Sequence, residues 1–277
     1  MSNDVLYSGK ITNVPSRADS TPQSAPTEQP QGKSRRRTFI LGSTVSAMIA
    51  ALSGAAIAAK PPSSSATHDG DLLKSVREQL ERGAIAELIV RERAARDAGQ
   101  WAEMASCYHP DSSIEVSWFK GHGAAFVELS KKYASATRVS LHQLSPSVVT
   151  VNNDRAIAET PAQLTAFVPV DGIDVCIMAQ VRLLWRAQML GDRWLLAGLR
   201  VIYIRDMLTP VNPSRVPAIN EAEAIRYRAS YRSLSYAMAR TDHPVRDDLP
   251  GVDRPETVTA LRVGEAAWLE GPSKTAG

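Results

Sequence analysis

From position 139 to 207 apolar residues recur at every second position through five successive runs, and that period confines the chain to a sheet-based fold. The runs cover 139–144, 148–151, 156–168, 175–187 and 193–207, and turn chemistry separates the later ones. Asn152-Asn153-Asp154, Val170-Asp171-Gly172 and Gly191-Asp192 supply residues that tolerate the positive φ of tight hairpins. Ahead of this region the period is helical. Ile85, Leu88 and Ile89 form the apolar face of a helix predicted over 84–98, with Gly99 at its C-terminal end. A separate short helix is expected over 71–80. Another is expected over 101–108, stopped by His109-Pro110-Asp111, with a strand over 114–119 and a third helix over 124–133. Helices followed by hairpin-linked strands predict an α+β fold, with helices packed on one face of a strongly bent antiparallel sheet. Such a sheet can enclose a pocket.

The two ends of the chain have different textures. Residues 1–33 are rich in Ser, Pro, Gln and Thr and read as disordered. Arg35-Arg36-Arg37-Thr38-Phe39 then leads into an uncharged Ala/Gly/Ser-rich run, and the whole resembles a twin-arginine export signal. The expected location is therefore periplasmic or extracellular, reached through the export machinery. The alternative is an inner-membrane anchor over 38–59, because that run of 22 residues is long enough to span a bilayer. Beyond Pro213, Ala224, Tyr227, Tyr231, Leu234 and Met238 keep helical spacing. Asp253-Arg254-Pro255-Glu256 predicts a second helix capped by Asp253 and continued by Val258, Leu261, Glu265 and Trp268. These helices suit a lid, a subunit contact or plain packing on the core. The expected organisation is a leader over 1–58, a linker and short helix over 59–83, a principal domain over 84–210 and a helical extension over 211–277.

Charge excludes one class of function. The chain carries 32 basic and 29 acidic side chains, but the excess lies in the leader. Residues 59–277 hold 26 of each, so this part lacks the electrostatic footprint of a nucleic-acid binder. Cys107 and Cys176, the only cysteines, are too few for a metal finger and are open to two readings, a disulfide or two free thiols. No phosphate loop, dinucleotide fingerprint, nucleophile elbow or zinc motif is present. No cofactor or metal is expected. Proton transfer or simple binding remains.

Asp97 and His142 are the candidates for that chemistry. Asp97 ends an apolar-faced helix, where the dipole disfavours negative charge. An ion pair with Arg93 one turn earlier, or a solvated helix end, would account for it equally. His142 shares a strand face with Leu144, as a core histidine would. A carboxylate on one ring nitrogen would make the other a better base.

Taken in order, the helix end Asp97-Ala98-Gly99-Gln100-Trp101, the strand Ile114-Glu115-Val116, His142, Arg182-Leu183-Leu184-Trp185 and the stretch from Gly191 to Leu199 resemble a SnoaL-like domain of the nuclear-transport-factor-2-like superfamily, in the branch of scytalone dehydratase. The resemblance implies a cone-shaped α+β barrel in which Asp97 orients the imidazole of His142 for work on a proton next to a carbonyl. It places Thr160 where that dehydratase has a second histidine, Arg96 and Val116 where it has water-holding tyrosines, and Arg182 at its pocket asparagine. Val116, Trp118, Thr160 and Arg182 are then expected to line the cavity, with Arg182 suited to an anionic or enolate-like group or turned outward into a salt bridge. The implied function is a cofactor-independent dehydratase, isomerase or cyclase acting on a small hydrophobic carbonyl compound. The alternative is a non-catalytic ligand-binding or assembly domain of the same fold, in either case with homo-oligomer formation open to it.

Overall fold

The computed structural model describes residues 64–134 and 139–271, with side chains from residue 69 onward. The leader with its export-signal reading, the anchor alternative and residues 59–63 lie outside the described residues, whereas residues 64–70, expected as linker, are the start of the first helix. Helix α1 (Ser64–Asp97) leads into α2 (Trp101–Ser106), strands β1 (Tyr108–Val116) and β2 (Phe119–His122), and helix α3 (Gly123–Tyr133). Strands β3 (Val139–Leu144), β4 (Val148–Asn152), β5 (Arg155–Val170), β6 (Ile173–Leu190) and β7 (Arg193–Pro210) follow. The extension contributes α4 (Glu221–Ala224), a single 3-10 turn (Ala229–Tyr231), α5 (Arg232–Met238) and α6 (Pro255–Glu270). The strand order is β2-β1-β7-β6-β5-β3, with β4 also paired to β5. The fold is α+β, a curled sheet rich in antiparallel pairs with helices over it and a C-terminal helical extension.

The period-two runs form strands because their alternation buries one face continuously. Along β6, Val175, Ile177, Ala179, Val181 and Leu183 are all buried, while the residues between them point away. Asn153, Asp171, Gly172 and Gly191 have positive φ at the hairpin turns. Register shifts at Gln180/Val181 and Arg186/Ala187 bend the long β6–β7 ladder, which closes the sheet around its inner face.

Several expectations are corrected. No break separates a short helix over 71–80 from the next one: α1 runs through Gly83, and burial begins at Ile85. His109-Pro110-Asp111 does not stop a helix but lies within β1. There the β1–β7 register skips from Tyr108 to Ser113, so the missing Pro110 N–H removes no ladder bond. That same pair is parallel, so the sheet is not wholly antiparallel. The helical spacing from Ala224 to Met238 is interrupted between α4 and the 3-10 turn. Asp253 does not cap α6, because its carboxylate accepts from Arg228 Nη2 at 2.7 Å and Ser230 Oγ at 2.7 Å. Nor do all the helices share one face: α6 covers the outer side of β4 and β5, tied by Glu265 to Arg186 at 2.6 Å and by Arg262 to Glu159 at 2.6 Å. Both cysteines are free thiols, Cys107 buried and Cys176 half-buried.

Helix α3 packs tightly on β1. A Cβ on Gly123 would stand 2.3 Å from Ser112 Oγ and 3.1 Å from the Tyr108 ring. Gly123→Ala is expected to cost about 1–3 kcal/mol through overpacking, read by urea denaturation. Unchanged stability would show that this contact is not tight.

Candidate functional site

The C-terminal turns of α1 carry the site. The apolar row Ile85, Leu88 and Ile89 is continued at helical spacing by Glu92, Arg93 and Arg96, so charged groups stand where the core face should be. Glu92 and Arg93 are buried at 0% and 4% exposure. They offset each other through two parallel hydrogen bonds, Arg93 Nε to Glu92 Oε2 and Arg93 Nη2 to Glu92 Oε1. Tyr108 donates its hydroxyl to Glu92 Oε1 at 2.7 Å. The Arg93 guanidinium lies 5.4 Å from the Trp185 ring centre and 6.0 Å from that of Phe126.

One turn on, Asp97 reaches across to β3. Its Oδ1 lies 2.7 Å from His142 Nδ1, and its Oδ2 accepts the His142 backbone N–H at 2.7 Å. Both carboxylate oxygens are thus committed to one residue, which fixes the imidazole and makes Nδ1 the protonated nitrogen. Nε2 is left as the basic nitrogen, with Arg93 Nη1 at 3.5 Å. Arg93 is not the partner of Asp97; Glu92 occupies it.

These groups open onto a cavity of about 580 Å³ between α1, α3, the inner face of the sheet and the extension. Its walls include Phe126, Val139, Leu164, Leu183 and Val201; Asp97, Arg93 and Arg96 are the charged groups lining it, with His142, His243, Tyr133 and Tyr203 as further titratable ones. Val116 and Trp118, which the resemblance assigns to the cavity, are among its lining residues. Thr160 and Arg182 do not. Thr160 is fully buried and exchanges a 2.7 Å hydrogen bond with Ser147. Arg182 alternates with the inward-facing Leu183, and therefore points to the outer face, where it donates to Glu159 at 2.8 Å. The arginines in the cavity are Arg93 and Arg96 instead.

The extension completes the enclosure. Leu234 and Met238 of α5 and His243 beyond it line the chamber. Asp206 of β7 accepts the Leu234 N–H at 2.7 Å, and the His243 ring lies against that of Tyr133, centres 3.6 Å apart and planes tilted by 43°. Helical spacing at Leu234 and Met238 marked an apolar face, but nothing local showed that it would cover a cavity. The buried pair Glu92–Arg93 did leave a legible signal, two charges interrupting an apolar stripe.

Burial sets the electrostatics. It pushes His142 down to about 3, and the adjacent Arg93 and Arg96 add to this against the opposing bond to Asp97. Burial would raise Asp97, but its hydrogen bonds from His142 and the nearby Arg96 hold it below the usual carboxylate range. Arg96 is lowered to about 10 by burial and by Arg93, and stays cationic at neutral pH. The folded-state value of His142 lies below the ordinary 6.5, so below that pH the unfolded chain takes up a proton that the native state refuses. His142 therefore favours the native state fully above pH 6.5, and that contribution is lost as pH falls towards 3. Between these limits stability is expected to fall by up to about 1.4 kcal/mol per pH unit. Urea denaturation above the carboxylate range should show this slope, and the His142 ring resonances should not titrate between roughly pH 8 and 5. A ring titrating near 6.5 would contradict the burial.

A curled α+β sheet roofed by helices holds an aspartate–histidine pair inside an apolar chamber. Residues 77–200 match the family model described as SnoaL-like domain. A PEP2-like protein of Fusarium vanettenii is 27% identical over 202 residues, covering 69% of this chain and 87% of that protein. Pea pathogenicity protein 2 of the same fungus is 27% identical over 199 residues, covering 69% and 84%. Among solved structures, a provisionally assigned scytalone dehydratase of Novosphingobium aromaticivorans aligns with a TM-score of 0.42 at 15% identity, covering 53% of this chain and 95% of that one.

Proposed function

We propose that this protein is a cofactor-independent acid/base enzyme, a lyase or isomerase acting on a small hydrophobic carbonyl compound. The observation that carries the reading is the 2.7 Å contact between Asp97 Oδ1 and His142 Nδ1 inside an apolar chamber. His142 Nε2 takes a proton from the carbon next to the carbonyl, and the C–H electron pair moves onto the carbonyl oxygen as an enolate. The imidazolium so formed is stabilised by Asp97, and the enolate by the guanidinium side of the chamber. Returning that proton to a departing hydroxyl gives dehydration; returning it to another carbon gives isomerisation. Charge stays balanced throughout, because the new cation and the new anion arise together within a network of two carboxylates and two guanidiniums.

The test is deuterium uptake from D2O at the α-carbon of two-ring aryl ketones such as 1-tetralone, followed by NMR. The intact protein should accelerate uptake, and the Asp97→Asn and His142→Gln variants should not. The second reading, a binding domain without chemistry, is favoured by the low basicity that burial imposes on His142. Uptake no faster with protein than without it, across the ketones, would favour that reading. Export through residues 1–58 is also proposed, supported by the adjacent arginines and uncharged run. The mass of the mature protein tests it.

A further inference from the structure

The chamber holds one guanidinium whose hydrogen bonds are spent and one whose hydrogen bonds are not. Arg93 directs Nε and Nη2 to Glu92 and approaches Tyr108 and His142 at 3.5 Å each. Arg96 directs Nη1 to Ser140 Oγ at 2.9 Å, while its Nε is buried without a hydrogen-bond partner among the described residues. The nearest carboxylate offers little relief. Asp97 Oδ1 lies 3.7 Å from Arg96 Nη1, and both Asp97 oxygens already serve His142. Arg96 also lines the chamber, where a ligand acceptor can pair with guanidinium donors that no described protein group takes.

The chemistry of that acceptor follows from its surroundings. A guanidinium edge matches a planar group with two oxygens and a negative charge. The rest of the ligand must be apolar, because Arg96 sits 6.0 Å from the Phe126 ring centre and shares the chamber with Val139, Leu164 and Phe167. We propose that Arg96 is the anion-recognition residue of this chamber, and that the substrate is a hydrophobic carbonyl compound bearing a carboxylate. A neutral compound of the same shape would bring no counter-charge to the Arg96 guanidinium that lines the chamber. The inference rests on the acid/base reading for the word substrate, whereas the anion site itself is tested by binding alone.

The experiment compares 2-naphthoate with its neutral isostere 2-naphthamide by isothermal titration calorimetry, using the full chain and its Arg96→Met, Arg96→Lys and His142→Gln variants. The intact protein should bind the carboxylate about tenfold or more tightly than the amide, as a charge-assisted pair requires. Arg96→Met should erase that preference while leaving amide affinity within about twofold, and Arg96→Lys should retain part of it. His142→Gln should keep the preference, so loss of turnover and loss of anion recognition are read separately. Equal affinity for the two compounds overturns the proposal, as does failure of both to bind. So does a preference that survives in Arg96→Met.

Discussion

Glu92→Ala is expected to destabilise the protein by about 3–5 kcal/mol, because it strands a buried guanidinium without its counter-charge. Glu92 is completely buried and is the carboxylate partner of Arg93, which is itself 4% exposed. Burial pulls the Arg93 guanidinium down, yet Glu92 and Tyr108 outweigh it and hold the group above its ordinary range. Removing the carboxylate leaves a full charge in a pocket walled by Trp185 and Phe126, and takes the acceptor from the Tyr108 hydroxyl at the same time. Side-chain rearrangement offers little rescue, because Asp97 is already committed to His142. A comparison within the same molecule sharpens the expectation. Glu159→Ala removes a carboxylate that also pairs with arginines, Arg182 and Arg262, but those are nearly half exposed, and roughly 1 kcal/mol or less is expected there. Urea denaturation of both variants checks the contrast. Equal costs would mean that the Glu92–Arg93 pair is as wet as the surface one.

Asp97→Asn is expected to slow proton transfer by roughly 10²–10⁴-fold while leaving the fold intact. The carboxylate accepts two hydrogen bonds from one residue, the ring Nδ1–H and the backbone N–H of His142. An amide keeps the volume and can still accept the backbone N–H. It removes the charge that stabilises the imidazolium, and its NH2 group can force the proton onto the other ring nitrogen. Burial and two arginines already lower the basicity of His142, so the lost anion is not replaced by anything nearby. Deuterium uptake by a two-ring ketone, paired with a melting curve, separates lost chemistry from lost structure. Wild-type rates in this variant would show that Asp97 only anchors β3.

Much of the fold was legible because its signals are local. The period-two runs and the positive-φ residues at their turns delimit β3 to β7 closely, since one face of each strand must be buried. What escapes a local reading depends on distant partners. Pro110 reads as a stop, yet it is tolerated in β1 where the ladder to β7 skips. Asp253 reads as a helix cap, yet Arg228 and Ser230 claim its carboxylate from 25 and 23 positions away. The site divides in the same manner. Asp97 and His142, 45 positions apart, are each an ambiguous candidate on local grounds and read as a pair through the order of a family-like pattern; geometry brings them together. The resemblance puts Arg182 at a pocket position with an outward salt bridge as the alternative, and strand alternation with Leu183 turns it outward to Glu159. Arg96, whose place in that pattern belongs to a tyrosine, faces the chamber instead. Leu234, Met238 and His243 could not be read as cavity walls, because the extension's docking on the sheet is a tertiary fact.

The central claim is that His142 Nε2, activated through Asp97, moves a carbon-bound proton inside the chamber. Its most direct test is the rate of α-carbon deuterium uptake by 1-tetralone with the intact protein and with His142→Gln, at equal concentrations and with matched melting curves. Acceleration by the intact protein is expected, with its loss by roughly 10²-fold or more in the variant. A folded His142→Gln protein that exchanges the ketone as fast as the intact one would contradict it.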